Sequence, residues 1–166
     1  PFLLKTLAFA LSLLLISCAS VEPVSHKPVT GSQNITTRDT TFVIKNIPLA
    51  SSLSVLTVSA EDTILAEVES DPLEEIIVAD SNRDGREELY LVTRSAGSGS
   101  YATVLVFSWC NAKYQQIARL SGAEPSSGKY MGHDSIWFED NTLKWLIPVY
   151  LENDPYTYPS GGTFMI

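Results

Sequence analysis

From residue 41 onward the chain alternates short apolar segments with turn residues. The segments are rich in Val, Ile, Thr, Tyr and Phe, which favour β-strands, and none shows the spacing of an amphipathic helix. The pattern predicts nine strands: Thr41–Ile47, Leu53–Ser59, Thr63–Glu69, Glu75–Ala79, Glu88–Arg94, Tyr101–Trp109, Lys113–Leu120, Ser135–Phe138 and Thr142–Tyr150. Breakers such as Asp84-Gly85 and Asp140-Asn141 separate them.

Several of these segments place apolar residues on both faces of the predicted strand. In the run from Leu89 to Val92, Leu89 and Leu91 share one face while Tyr90 and Val92 share the other, so we expect both sides to be covered. The length of 166 residues fits one globular domain better than two. We therefore predict an all-β fold, an antiparallel β-sandwich of two sheets, over residues 41–166.

The first 17 residues follow another pattern. An apolar run from Thr6 to Ser17 follows the basic Lys5. Its 12 residues are fewer than the roughly 20 that a membrane-spanning helix needs, so residues 1–17 are predicted to be a secretory signal.

The end of this run, Leu15-Ile16-Ser17-Cys18, resembles a bacterial lipobox. That resemblance implies that Cys18 becomes an acylated mature N-terminus, bearing palmitate or similar chains, which would be the only membrane attachment. The non-acidic Ala19 resembles the pattern of lipoproteins sent to the outer membrane. The alternative is an ordinary cleaved signal in which Cys18 has no such role.

Residues 18–40 have no apolar periodicity and contain Pro23, Pro28 and Gly31, a composition typical of a flexible tether. The formal net charge of the chain is -8, and removal of the signal with Lys5 leaves ten basic against 19 acidic residues, a net charge of -9. Such acidity argues against binding to nucleic acid or to anionic lipid surfaces and favours encounter with a cationic partner. Solubility alone would also account for it.

Few residues are available for catalysis. The histidines are His26, in the predicted tether, and His133, and only Cys110 remains once Cys18 is used. A disulfide framework, a histidine-based zinc site and a Cys–His nucleophile pair therefore lack the residues they need. We predict that the protein is not an enzyme and has no catalytic residues.

One acidic loop carries oxygen-bearing side chains at alternate positions and turns at Gly85. Calcium takes six to eight oxygen ligands, which such a loop can supply. The loop departs from an EF-hand and resembles the strand-flanked acidic loop of FG-GAP repeats. That resemblance implies a calcium site with these ligands: Asp80, Asn82, Asp84, the carbonyl group of Arg86, and Glu88. The alternative is a hairpin in which Asp and Asn side chains bond to their own backbone.

A second loop, between the strands predicted to end at Arg94 and to begin at Tyr101, is rich in glycine and serine. Its glycines allow the backbone to approach a partner closely, and its hydroxyl groups can bond to carboxylates. No lysine or helix start follows the glycines, which argues against phosphate binding, and neither Ser98 nor Ser100 has an identifiable base. The loop is predicted to recognise a partner; the alternative is a flexible loop with Tyr101 packed in the sheet.

These motifs together resemble a known family. The stretches Asp80–Leu91, Val92–Tyr101 and Gln116–Gly122 are similar to the bacterial periplasmic inhibitors of invertebrate-type lysozyme. Members are β-sandwich proteins that insert a Ser-Gly-x-x-Tyr-like loop into the lysozyme cleft and block its catalytic carboxylates. The resemblance implies these lysozyme-binding residues: Gly97, Ser98, Gly99, Ser100 and Tyr101.

Within that resemblance, Ser98 and Tyr101 supply the hydroxyl groups, while Gly97, Gly99 and Ser100 shape the loop; Ser100 stands where a glycine is common. The partner would be a cationic host or competitor muramidase, and the protein would act in bacterial defence within the cell envelope. A calcium-binding envelope module is the competing hypothesis, and both a monomer and a homodimer are compatible with the sequence. The segment from Leu143 to Thr163 resembles part of related exported proteins and implies no activity.

Overall fold

The computed structural model describes residues 29–123 and 128–166. The regular secondary structure of this part consists of strands, all paired antiparallel, which confirms the predicted all-β fold. The strands are β1 (Gly31–Thr36), β2 (Thr41–Ala50), β3 (Leu53–Ala60), β4 (Thr63–Ser70), β5 (Leu73–Ala79), β6 (Glu88–Arg94), β7 (Ala102–Cys110), β8 (Lys113–Ser121), β9 (Ser135–Glu139), β10 (Thr142–Pro148) and β11 (Thr163–Met165). Each of the nine predicted strands is present, with ends shifted by up to three residues.

The strands form three sheets in the described residues. The first has the order β1-β2-β3-β4, the second β5-β6-β7-β8, and the third, which is small, β11-β10-β9. The third sheet adds a layer to the two that the sequence predicted. The second sheet lies between the other two. Its strands are apolar on both faces, and each face packs against one of the other sheets.

Two hydrophobic cores lie on opposite faces of this middle sheet. The alternation in β6 sorts its side chains: Leu89 and Leu91 belong to one core, and Tyr90 and Val92 to the other. The first core joins the middle sheet to Phe42, Ile44, Leu56 and Val58 of the first sheet. The second core joins it to Trp145 and Ile147 of β10. The covering of both faces, predicted from residues 89–92, is thus present.

The predicted tether contains a strand. β1 lies within residues 18–40 and pairs with β2 along its full length, from Gly31 opposite Asn46 to Thr36 opposite Thr41. The sequence gives little sign of β1 because it is an edge strand whose side chains are mostly exposed, so the backbone bonds to β2 define it. The signal peptide predicted for residues 1–17, Cys18 and the tether up to residue 28 lie outside the described residues. The described part contains no helix long and apolar enough to span a membrane.

Candidate functional site

The glycine-rich loop joins β6 to β7 and spans Ser95–Tyr101. Two hydrogen bonds close its base: the Ser95 N–H donates to the Tyr101 carbonyl oxygen at 2.9 Å, and the Tyr101 N–H donates to the Ser95 Oγ at 2.8 Å. At the tip, the Ser100 N–H donates to the Gly97 carbonyl oxygen at 3.1 Å, which is the bond of a β-turn. The loop is therefore internally bonded rather than an open glycine linker.

Two glycines allow this loop to pack closely on the segment Met131–Asp134. A Cβ atom on Gly99 would lie 2.3 Å from the Tyr101 ring, and one on Gly132, whose φ is +82°, would lie 1.6 Å from the Gly99 carbonyl oxygen. The His133 N–H donates to that same carbonyl oxygen at 2.8 Å. A side chain at Gly132 would push the two segments apart, and one at Gly99 would displace the Tyr101 ring, so glycine is needed at both positions.

Arg94 ties the loop to a buried carboxylate. Its Nη1 donates to the Ser100 carbonyl oxygen at 2.9 Å and to the Asp134 Oδ1 at 3.0 Å, while its Nε donates to the Glu74 Oε2 at 2.7 Å. The Asp134 side chain is fully buried. A charged group survives burial only when it is paired and hydrogen-bonded, and Arg94 provides the pairing.

The other oxygen of Asp134 accepts two further hydrogen bonds. The Tyr130 hydroxyl donates to Oδ2 at 2.8 Å, and the Trp145 Nε1 donates to the same atom. Burial and the bond to Asp134 raise the pKa of Tyr130 above its usual range, so this hydroxyl stays a donor. One carboxylate therefore joins β6, β10 and the segment that supports the loop.

The structure brings the five predicted lysozyme-binding residues together on one loop, but they differ in exposure. Gly97 and Ser98 are exposed at the tip, Gly99 is buried, and Ser100 is half-buried. Tyr101 is 41% exposed and precedes β7, so it does not pack within the sheet. Its ring also meets Tyr130 edge-on, with centroids 5.3 Å apart. Two hydroxyl-bearing side chains are thus presented on a supported backbone.

The acidic loop lies at the other end of β6. It joins β5 to β6, so the two motifs are separated by the seven residues of β6, roughly 20 Å of strand. The Asp80 carboxylate accepts from the Asp84 and Gly85 N–H groups, each at 3.1 Å, and the Asp84 Oδ1 accepts from the Arg86 N–H at 2.8 Å. These are the side-chain-to-backbone bonds of the hairpin alternative.

Glu88 is nearly completely buried, and its carboxylate is fully bonded within the protein. Its Oε2 accepts from the Ser81 N–H at 2.8 Å, and its Oε1 accepts from the Ser108 Oγ at 3.2 Å. The Asn82 Nδ2 donates to the Glu88 Oε1 at 2.8 Å and to the Asp84 Oδ2 at 3.1 Å. An amide nitrogen thus bridges two carboxylates that a cation would bridge. In the part of the chain that the structure describes, no group of three or more His, Cys, Asp or Glu side chains is arranged to hold a metal ion.

Calcium binding by residues 80–88 stays a prediction with a thermal test. An ion held at about 100 times its Kd would stabilise the fold by about 2.7 kcal/mol, so a chelator is expected to lower the Tm by roughly 5 °C or more. The Tm of Asp84→Ala, which lacks one of the predicted ligands, is expected to be the same in calcium and in chelator. Asp140→Ala, in the turn between β9 and β10, is the control that retains the response. Superimposable melting curves of the unaltered protein in chelator and in calcium would contradict the hypothesis.

A known protein family matches a span of the chain that includes both loops. Residues 50–130 match the family described as periplasmic lysozyme inhibitor of I-type lysozyme. The match takes in the glycine-rich loop and the acidic loop. The span begins at the end of β2 and ends just before the segment that supports the loop Ser95–Tyr101. No curated protein and no solved structure matches the chain.

The match confirms the resemblance inferred from residues 80–122, and the matched family implies periplasmic inhibition of I-type lysozyme. It also argues against an enzymatic role, because the family consists of inhibitors. The supporting residues of the loop were not predicted: Asp134 and Trp145 lie beyond the matched span. Gly132 was the only local sign, since a glycine beside the polar pair His133-Asp134 is compatible with close backbone approach.

Proposed function

We propose that this protein is an envelope lipoprotein that inhibits I-type lysozyme by inserting the loop Ser95–Tyr101 into the active-site cleft. The supporting observation is the conformation of the loop, which exposes Ser98 and Tyr101 while the bonds of Arg94 hold its backbone. A loop that is ordered before binding loses little conformational entropy when it enters a cleft. Rigidity and exposure together suit an inhibitor that acts by shape.

The chemistry of the tip fits a cleft lined by carboxylates. Glycoside hydrolases of this kind use a pair of Asp or Glu side chains that flank the scissile bond. The hydroxyl groups of Ser98 and Tyr101 can donate hydrogen bonds to such groups, in the place of a sugar. Hydrogen bonds to a charged acceptor are stronger than those between neutral groups, so two of them would contribute substantially to affinity. Inhibition then requires no reaction on either protein.

The charge of the chain supports fast association with a cationic enzyme. Without residues 1–17 the net charge is -9, whereas the tip from Ala96 to Tyr101 carries no charged side chain. Long-range attraction accelerates encounter, and the neutral tip then enters the cleft without burying a charge. We expect the association rate to fall as ionic strength rises.

Lipid attachment at Cys18 would hold the inhibitor at the membrane surface, and the outer membrane is the proposed site. Twelve residues separate Cys18 from β1, and at most about 3.5 Å per residue allows a reach of roughly 40 Å. Such a reach would let the domain meet a lysozyme that approaches the cell wall.

The inhibition itself is tested with a muramidase assay. Stoichiometric addition of the purified protein to an I-type lysozyme is expected to abolish cell-wall lysis, with weaker or no effect on chicken-type and goose-type enzymes. These two enzymes serve as controls for general interference with the substrate. Full activity of all three lysozymes at saturating protein would contradict the proposed function.

A further inference from the structure

A second exposed aromatic surface occurs in the segment Leu151–Ser160, between β10 and β11. Tyr158 is 75% exposed, Tyr156 52% and Leu151 46%. Exposed tyrosines grouped on one segment are typical of protein interfaces, where tyrosine is enriched over its frequency on the rest of the surface. We refer to this segment as the C-terminal loop.

The C-terminal loop is held in one conformation by its own hydrogen bonds. The Asp154 carboxylate accepts from the Leu151 N–H at 2.7 Å and from the Ser160 N–H and Oγ at 2.7 and 2.6 Å. These bonds also hold the pKa of Asp154 below its usual value. At the base of the loop, the Gly161 N–H donates to the Val149 carbonyl oxygen at 2.9 Å. Its aromatic side chains therefore project from an ordered backbone.

Contacts link this loop to the loop that carries Tyr101. Tyr101 packs against the Tyr130 ring, and the preceding residue, Lys129, pairs with Tyr150 through two backbone hydrogen bonds of 2.8 and 3.1 Å. The Tyr150 hydroxyl in turn donates to the Tyr156 carbonyl oxygen at 3.1 Å. Burial is the main cause, and the neighbouring Tyr101 a further cause, of a raised pKa of Tyr150. The two loops are therefore connected through Tyr130, Lys129 and Tyr150.

A stable interface needs more contact area than the loop Ser95–Tyr101 can supply. Specific complexes bury about 800 Å² on each partner and involve roughly 20–30 residues of each. A loop of seven residues supplies only part of that area. Neighbouring exposed groups must contribute the rest, and the C-terminal loop, which Tyr150 connects to the region of Tyr101, offers exposed aromatic side chains.

We propose that the C-terminal loop is a second contact surface for the same lysozyme molecule, with Tyr156 and Tyr158 packing against the rim of the cleft that receives Tyr101. This inference rests on the proposed function, since it assigns residues to the same interface. It extends that interface beyond the family match, which ends at residue 130.

The double variant Tyr156→Ala and Tyr158→Ala tests the inference. Both side chains are largely exposed, and the carbonyl group of Tyr156 that accepts from Tyr150 is kept, so the Tm is expected to stay within about 2 °C. The Kd for I-type lysozyme is expected to rise at least tenfold, mainly through faster dissociation. The matched control is Ile64→Ala, a 64% exposed side chain on β4 at the opposite end, beside the cavity lined by Arg86. Its Kd is expected to change less than twofold.

The outcomes separate this inference from the proposed function. If the unaltered protein binds I-type lysozyme and the Kd of the double variant is within twofold of its Kd, the second contact alone is overturned. Absence of binding by the unaltered protein would overturn both. If the double variant melts more than 5 °C lower, the single variant Tyr158→Ala is judged instead, and a Kd raised less than threefold contradicts the inference.

Discussion

Replacing Asp134 with alanine is expected to lower the free energy of unfolding by about 3–5 kcal/mol, the largest stability effect expected of any single substitution in the loop support. The fully buried carboxylate accepts from Arg94, Tyr130 and Trp145. Its removal leaves these three donors without that acceptor and leaves a partly buried guanidinium with one carboxylate fewer. For a domain of this size the loss corresponds to a Tm lower by roughly 10 °C.

The measurement is denaturant unfolding followed by tryptophan fluorescence, since Trp145 bonds to the substituted group. Asp134→Asn keeps an oxygen acceptor but loses the charge. Its free energy of unfolding is expected to lie between those of the unaltered protein and Asp134→Ala. The matched control is Asp39→Ala, which removes an exposed ion pair of 3.4 Å with Arg86 and is expected to cost less than about 1 kcal/mol. Equal losses in Asp134→Ala and Asp39→Ala would contradict the assigned role of the buried carboxylate.

Replacing Tyr101 with alanine is expected to raise the Kd for I-type lysozyme about 100-fold or more. A tyrosine at the centre of an interface commonly contributes 2 kcal/mol or more when truncated, and here the hydroxyl group would also lose a bond to a charged carboxylate. Tyr101→Phe separates the two contributions and is expected to raise the Kd roughly tenfold. Ser98→Ala, at the exposed tip, is expected to have an effect similar to that of Tyr101→Phe.

Stability must be measured on the same samples, because the Tyr101 ring also packs against Tyr130. A Tm within a few degrees of the unaltered protein assigns the loss to the interface. Ile64→Ala again serves as the distant control. A Tyr101→Ala and Ser98→Ala double variant that is folded and inhibits with an unchanged Kd would show that this loop does not enter the cleft.

The sequence predicted the strands because their apolar positions reflect burial directly. Leu89 and Leu91 alternate with Tyr90 and Val92, and the two pairs enter different cores. β1 escaped prediction because its side chains are mostly exposed, so that pairing with β2 rather than burial defines it. The third sheet was missed as a separate layer because local patterns show that a face is covered but not by what.

The loop could be predicted from the sequence, whereas the residues that support it could not. Glycine and hydroxyl-bearing residues concentrated between Arg94 and Tyr101 mark a protruding loop in the sequence itself. The anchor of that loop depends on Asp134, which lies 40 residues from Arg94 in the chain. An isolated aspartate normally indicates an exposed residue, and only the fold reveals that this one is buried among donors. Tertiary contacts of this kind leave no local pattern.

The claim that the loop occupies the cleft is tested most directly by competition. The muramidase assay is repeated at increasing concentrations of a chitooligosaccharide substrate, with the I-type lysozyme and the unaltered protein held fixed. Competitive inhibition is expected, in which the apparent inhibition constant rises linearly with substrate concentration and the maximal rate is unchanged. An inhibition constant independent of substrate concentration, with a reduced maximal rate, would place the protein outside the cleft and contradict insertion of the loop.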